Sequence, residues 1–159
     1  MDTLAIAIGT CHGIYPKGMV PTLQIQRLKD IKKLVPIPLV LHGGSANKDE
    51  EIAEAARCGI NKINVDTDIR LAVTRNMKEL FVKYPELRTS ASIGEIYELL
   101  EAKKSQFDPR VFLPPIMDTV MKGTIPDEDV AAIVNCVERG VKEVVGTLIV
   151  QFGSFGKAP

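Results

Sequence analysis

Tryptophan is absent from this 159-residue chain, and the three tyrosines and five phenylalanines amount to only 5% of it. Neither sign of charge is in excess, since 20 Lys and Arg balance 20 Asp and Glu. With few aromatics and no run of Lys or Arg, the electrostatic footprint of a nucleic-acid binder is missing. No apolar stretch approaches the roughly 18 residues that a membrane span needs. Met1-Asp2-Thr3-Leu4 leads straight into a strand pattern, with no charged and apolar leader before it. These absences point away from membranes and towards the cytoplasm. Cysteine is scarce as well: Cys11, Cys58 and Cys136 are odd in number, widely spaced and form no C-x-x-C pair. That usage fits a reducing compartment and unpaired thiols. Cys11 adjoins His12, but neighbouring strand residues face opposite sides, so burial against a helix is its expected fate.

The two histidines are what remains, and each ends a short apolar run and is followed by glycine. His12 closes the run from Leu4, and His42 closes Pro38-Leu39-Val40-Leu41, with Gly43-Gly44-Ser45 after it. Both imidazoles are expected at the same end of neighbouring parallel strands, as in a metal site of a βα protein. A third run, Ile60 to Val65, ends in Asp66-Thr67-Asp68. Together the three strand ends suggest metal plus phosphate.

Between the strands the apolar period changes from that of a strand to that of a helix. Leu23, Leu28, Ile31 and Val35 mark an amphipathic helix stopped by Pro36 and Pro38. Asn47 with Glu50 three residues on reads as a capping box, Ile52, Ala55 and Ala56 form a buried stripe, and Gly59 supplies the residue after the cap. A third helix is expected from about Ile69 to Tyr84, ended by Pro85. Beyond it the pattern is helical only: 92–104, 111–122, and a longer helix opened by Thr124-Ile125-Pro126-Asp127. In that last helix Val130, Ile133, Val134, Val137, Val141, Val144 and Leu148 repeat at three- and four-residue steps. The stripe serves either an oligomer seam or packing within the chain; it is too short for sustained coiled-coil heptads.

The expected class is therefore α/β, with three parallel strands and a helical C-terminal region. Residues 1–84 read as part of a (β/α) barrel, and 85–159 as the helical remainder of the same domain. Three strands cannot close on themselves, and a (β/α)8 TIM barrel typically takes about 250 residues. The strand count leaves two alternatives, a small open α/β domain or the C-terminal part of such a barrel.

Four strings carry a family resemblance, and they occur in order. Ala7-Ile8-Gly9-Thr10-Cys11-His12-Gly13, Leu39-Val40-Leu41-His42-Gly43-Gly44-Ser45, Lys62-Ile63-Asn64-Val65-Asp66-Thr67-Asp68, and Phe107-Asp108-Pro109-Arg110 with a late Phe152-Gly153-Ser154 resemble the C-terminal half of class II ketose-bisphosphate aldolases. The resemblance implies reversible aldol cleavage of a ketose 1,6-bisphosphate to dihydroxyacetone phosphate and an aldehyde. In that chemistry Zn²⁺ acts as a Lewis acid on an enediolate, replacing a lysine Schiff base.

The same resemblance makes His12 and His42 two of three zinc ligands, and assigns Gly13, Gly43, Ser45, Asn64, Asp66 and Thr67 to the dihydroxyacetone phosphate pocket. Asn64 and Asp66 would contact hydroxyls and Thr67 the phosphate, with a monovalent cation, Na⁺ or K⁺, near these backbone groups. Arg110 would reach the second phosphate, commonly in a neighbouring subunit, through its planar fork. No catalytic residue is assigned, because the family's acid/base aspartate and third ligand have no counterpart in these strings. The expected partners are a phosphorylated sugar and either further copies of the chain or a missing N-terminal half. An incomplete aldolase, inactive as the isolated chain, is the reading; the alternatives are a catalytically dead remnant and a small α/β phosphate-binding module.

Overall fold

The computed structural model describes residues 2–11 and 13–157. The chain forms two compact units, residues 1–68 with 146–159, and residues 69–145.

The first unit is built on β1 (Leu4–Ile6), α1 (Ile25–Leu34), β2 (Leu39–Leu41), α2 (Asp49–Arg57) and β3 (Ile60–Ile63). The three strands are parallel in the order β1-β2-β3. β2 is central and all three of its residues are buried, which explains why its sequence is continuously apolar rather than alternating. Ile8, Leu28, Leu39, Leu41, Ile52, Ala55 and Ile60 form the core, and Phe152 packs against it. A fully buried side chain of this kind contributes about 1.5–3 kcal/mol.

Register is set by one irregularity. Leu39 pairs with Ile60, but Val40 pairs with Lys62 and Leu41 with Ile63, so Asn61 is an extra residue on β3. Its side-chain Oδ1 accepts the Leu39 N–H at 3.1 Å, which stabilises the bulge. One inserted residue moves everything beyond it to the other face. Continued by one position, the register sets Asn64 opposite His42; without the bulge His42 would face Ile63.

Three expectations for this unit are corrected. β1 ends at Ile6, well short of residue 12. Gly9 has φ +112, and a Cβ there would collide with the Thr22 carbonyl oxygen, while the Gln24 N–H is donated to Ile8 O at 2.8 Å. The chain thus leaves the sheet to pack on the segment before α1. Cys11 is exposed, because it sits in that loop and not on a strand. Asn47 does not cap α2: the helix starts at Asp49 with Lys48 as N-cap and no side-chain cap bond. Its amide instead donates to Gly43 O and Ser45 O at 2.9 and 3.1 Å. Asp49, Glu50 and Glu51 in the first turn complement the helix dipole.

The second unit is helical. α3 (Thr67–Lys83) enters it at Ile69 and is followed by a 3₁₀ turn (Pro85–Thr89), α4 (Gly94–Ala102), a second 3₁₀ turn (Pro109–Val111), α5 (Pro114–Met121) and α6 (Glu128–Gln151), whose residues to Val145 belong here. Its core contains Met77, Phe81, Ile93, Ile96, Phe112, Ile116, Val130 and Ile133, with Val134 and Val137 packed on it. The first half of the valine stripe therefore packs within the unit. Gly140 is required there: a Cβ would lie 2.9 Å from Val73 N and Cα, so only glycine lets α6 meet the α3 backbone. Asp127 caps α6 by accepting the Val130 N–H at 2.9 Å. That bond and one donated by the Ser92 hydroxyl, the larger influence, hold the Asp127 carboxyl below the usual carboxylate range.

Candidate anion-binding site

The turn after β2 and the start of α3 form one constellation in the first unit. Gly43 has φ +67, and its missing Cβ leaves room for the Cys11 carbonyl oxygen, which would be only 2.6 Å away. Thr10 Oγ1 ties the same segments by donating to His42 O at 2.6 Å. Gly44 donates its N–H to Asn64 O at 2.9 Å, and Asn64 donates its own to Leu41 O at 2.9 Å. A Cβ on Gly44 would lie 2.6 Å from Ile63 Cγ2. Both glycines are therefore needed for the turn to approach neighbouring backbone.

Ser45 is only 5% exposed. Its Oγ lies 3.4 Å from the backbone N of both Asp66 and Asp68, at the entry to α3, where the helix dipole favours an anion. Burial, the larger influence, pushes the Asp68 pKa up, against the Ala46 N–H and the Ser45 hydroxyl, which favour the charged carboxylate. Asn64 Nδ2 lies 3.2 Å from His42 Nδ1 and 3.3 Å from Nε2. The structure thus brings together His42, Gly43, Ser45, Asn64 and Asp66, with Thr67 as the first residue of α3.

Of the other expected residues, His12 lies outside the described residues. Gly13 has φ +88 with open space where a Cβ would be. Arg110 belongs to the second unit, where Asp108 holds it: Nε to Oδ1 is 3.0 Å and Nη2 to Oδ2 is 2.6 Å. Arg70 Nη1 reaches the same Oδ2 at 2.9 Å. The hydrogen-bonded Arg110 first, with Arg70 adding its charge, lowers the Asp108 pKa to about 2.

Sequence reasoning passed over Asn47 and Asp68. Asp68 carried a signal, an acidic residue in the first turn of a helix beside a glycine-rich turn. Asn47 carried one that pointed elsewhere, to a helix cap.

The residues fit a metal only in part. Among the described residues no three His, Cys, Asp or Glu side chains converge, so His42 alone does not make a centre. Among them, too, no helix is long and apolar enough to cross a membrane.

A sequence model described as "Fructose-bisphosphate aldolase class-II" matches residues 1–157. Among solved structures, the YdjI aldolase from Escherichia coli K12 is similar at 23% identity and a TM-score of 0.52, over 99% of this chain and 41% of that one. The chain thus spans about two fifths of that relative's length, and the likeness shows the fold: three parallel strands in one sheet with helices, as in part of that aldolase.

Proposed function

The chain belongs to the class II fructose-bisphosphate aldolase family, and from that premise we propose that the turn after β2 and the start of α3 bind the phosphate end of dihydroxyacetone phosphate. The observation that carries this reading is the buried Ser45 hydroxyl set against the backbone N–H groups of Asp66 and Asp68, at the entry to α3. A phosphate dianion there would take N–H groups from the helix start, the Thr67 hydroxyl and the glycine-rich turn. His42 and Asn64 stand at the neighbouring strand ends, where the hydroxyl and carbonyl oxygens of a bound three-carbon sugar phosphate would fall. Asn64 would orient those oxygens by hydrogen bonding, and Asp66 would accept from a hydroxyl. Gly13 would extend the phosphate-binding backbone, and Arg110 would hold the second phosphate of a ketose 1,6-bisphosphate.

Zinc is the group we propose for the imidazoles of His12 and His42; when bound, it supplies Lewis-acid polarisation of substrate oxygens. A third ligand and the proton-transferring aspartate of the family have no counterpart here, so we propose that this chain alone binds substrate but does not turn it over. A Na⁺ or K⁺ ion near the turn's backbone carbonyls is part of the same proposal, as are a cytoplasmic location and assembly with further protein.

Calorimetric titration of dihydroxyacetone phosphate, with and without zinc, tests the reading. A dissociation constant on the order of millimolar, about 4 kcal/mol, is expected. Ser45→Ala and Thr67→Ala should each weaken binding by roughly 0.5–1.5 kcal/mol, the value of one neutral hydrogen bond. His42→Ala should matter less. Loss of binding in His42→Ala with Ser45→Ala and Thr67→Ala unchanged would reverse the assignment.

A further inference from the structure

Ala46 is the only non-glycine with positive φ among the described residues, at 59°. A side chain makes that left-handed conformation unfavourable, so something must hold the turn. Asn47 and Asp68, to which the resemblance assigns no role, do so from opposite sides. The Asp68 carboxylate faces the Ala46 N–H and the Ser45 hydroxyl, which both favour its charged form, and the Asp68 backbone N lies 3.4 Å from Ser45 Oγ. Asn47 Nδ2 donates to Gly43 O and Ser45 O, at 2.9 and 3.1 Å. One clamp takes the turn's donors and the other its acceptors, and they meet at Ser45 and Ala46.

We propose that Asn47 and Asp68 are positioning residues, which hold the turn from Gly43 to Ala46 in its left-handed form so that Ser45 and the backbone donors face the ligand. The inference rests on the phosphate-binding reading above. It differs from a direct ligand role: both side chains act on phosphate only through the conformation of Ala46. Acting as an acceptor is all that Asp68 contributes to the clamp, so an amide can replace its carboxylate. Glycine at position 46 should make the clamp largely dispensable, because glycine enters the left-handed region about as readily as the right-handed one.

The test uses the whole chain and two readouts. Backbone chemical shifts and hydrogen exchange of residue 46 report the turn without any ligand, and titration with inorganic phosphate reports the site. In Asn47→Ala and Asp68→Ala, residue 46 should leave the left-handed region, its amide should exchange faster, and phosphate binding should fall by roughly tenfold, the population cost of left-handed backbone for a residue with a Cβ. Asp68→Asn should retain the parent's turn and affinity. When Ala46→Gly is combined with Asn47→Ala, the loss should shrink to about twofold.

If residue 46 keeps its left-handed shifts in Asn47→Ala and Asp68→Ala, the clamp is refuted. An equal loss in the alanine and glycine backgrounds also refutes it, since the two side chains then act directly. If the turn responds as described but the parent chain binds no phosphate, the phosphate reading fails, and with it the positioning role.

Discussion

Substituting Gly43 by alanine puts the described turn under its most demanding test. The new Cβ would lie 2.6 Å from the Cys11 carbonyl oxygen, 3.1 Å from its carbon and 3.3 Å from Thr10 Cβ. The first two are backbone atoms and cannot swing aside. Thr10 is further tied by its bond to His42 O, so a shift of one segment pulls on the end of β2. Left-handed backbone at φ +67 adds roughly 1–2 kcal/mol for a residue with a Cβ, and overpacking typically 1–3 kcal/mol. Because relaxation relieves both together, a loss of about 3 kcal/mol is expected. In urea this corresponds to a midpoint about 1–3 M lower, since m is typically about 1–3 kcal/mol/M. The unfolding should be followed by the amide signals of Leu39, Val40 and Leu41, which report the first unit. Gly146 is the control: it lies within α6 with nothing within 4 Å of its would-be Cβ. Gly146→Ala should therefore stabilise by roughly 0.5–1 kcal/mol. If Gly43→Ala falls within about 0.5 kcal/mol of the parent while Gly146→Ala behaves as stated, the turn is not built as described.

Other expectations follow from the same structure. Ala46→Gly relieves the left-handed cost and should stabilise the first unit by about 1 kcal/mol, read by chemical denaturation; destabilisation would contradict the observed φ. Asp108 has a pKa lowered from 3.8 to about 2, so its pairing stabilises the fold above its ordinary pKa, and that stability is lost as pH falls towards 2. Arg110 is 67% exposed, so solvent screening limits the effect to about 1 kcal/mol, and Asp108→Asn should flatten the acid limb of the stability profile by that much. Asp68 has the opposite sign: its raised pKa means that its contribution is greatest at low pH and declines as pH rises through the folded value. Asp68→Asn should accordingly not destabilise the chain at neutral pH, as thermal unfolding at pH 7 would show. Gly140→Ala forces a Cβ against the Val73 backbone, and unfolding followed at Phe81 or Ile133 should show a loss of about 1–3 kcal/mol in the second unit.

Much of this architecture was legible in the sequence for simple reasons. Leu39-Val40-Leu41 is uninterrupted by polar residues because β2 is central, and the three-and-four spacing of Val130, Ile133, Val134 and Val137 reflects the packed face of α6. Pro36, Pro38 and Pro85 mark helix ends because the ring lacks an N–H and clashes with the preceding turn. Local pattern could not reveal the Asn61 bulge, because a single side chain bonded to Leu39 N shifts the register of β3. That shift is what puts Asn64 beside His42, so the site's geometry depends on a tertiary bond. Asn47 misled for a related reason. Asparagine before a helix is favoured both as a cap and as a turn former, and only the positions of Gly43 O and Ser45 O decide between them. Past the end of β1, Gly9 lets the chain turn onto the Thr22 carbonyl oxygen, which a Cβ would strike, and no local window connects those two residues.

The central claim is that the turn after β2 and the start of α3 bind the phosphate of a three-carbon sugar phosphate. Amide chemical-shift mapping of the chain during titration with dihydroxyacetone phosphate tests it most directly. The account predicts saturable shifts concentrated at residues 43–46 and 64–68, with a midpoint on the order of millimolar, reproduced in part by inorganic phosphate. Shifts that cluster elsewhere, or none at these residues at saturating ligand, would contradict it.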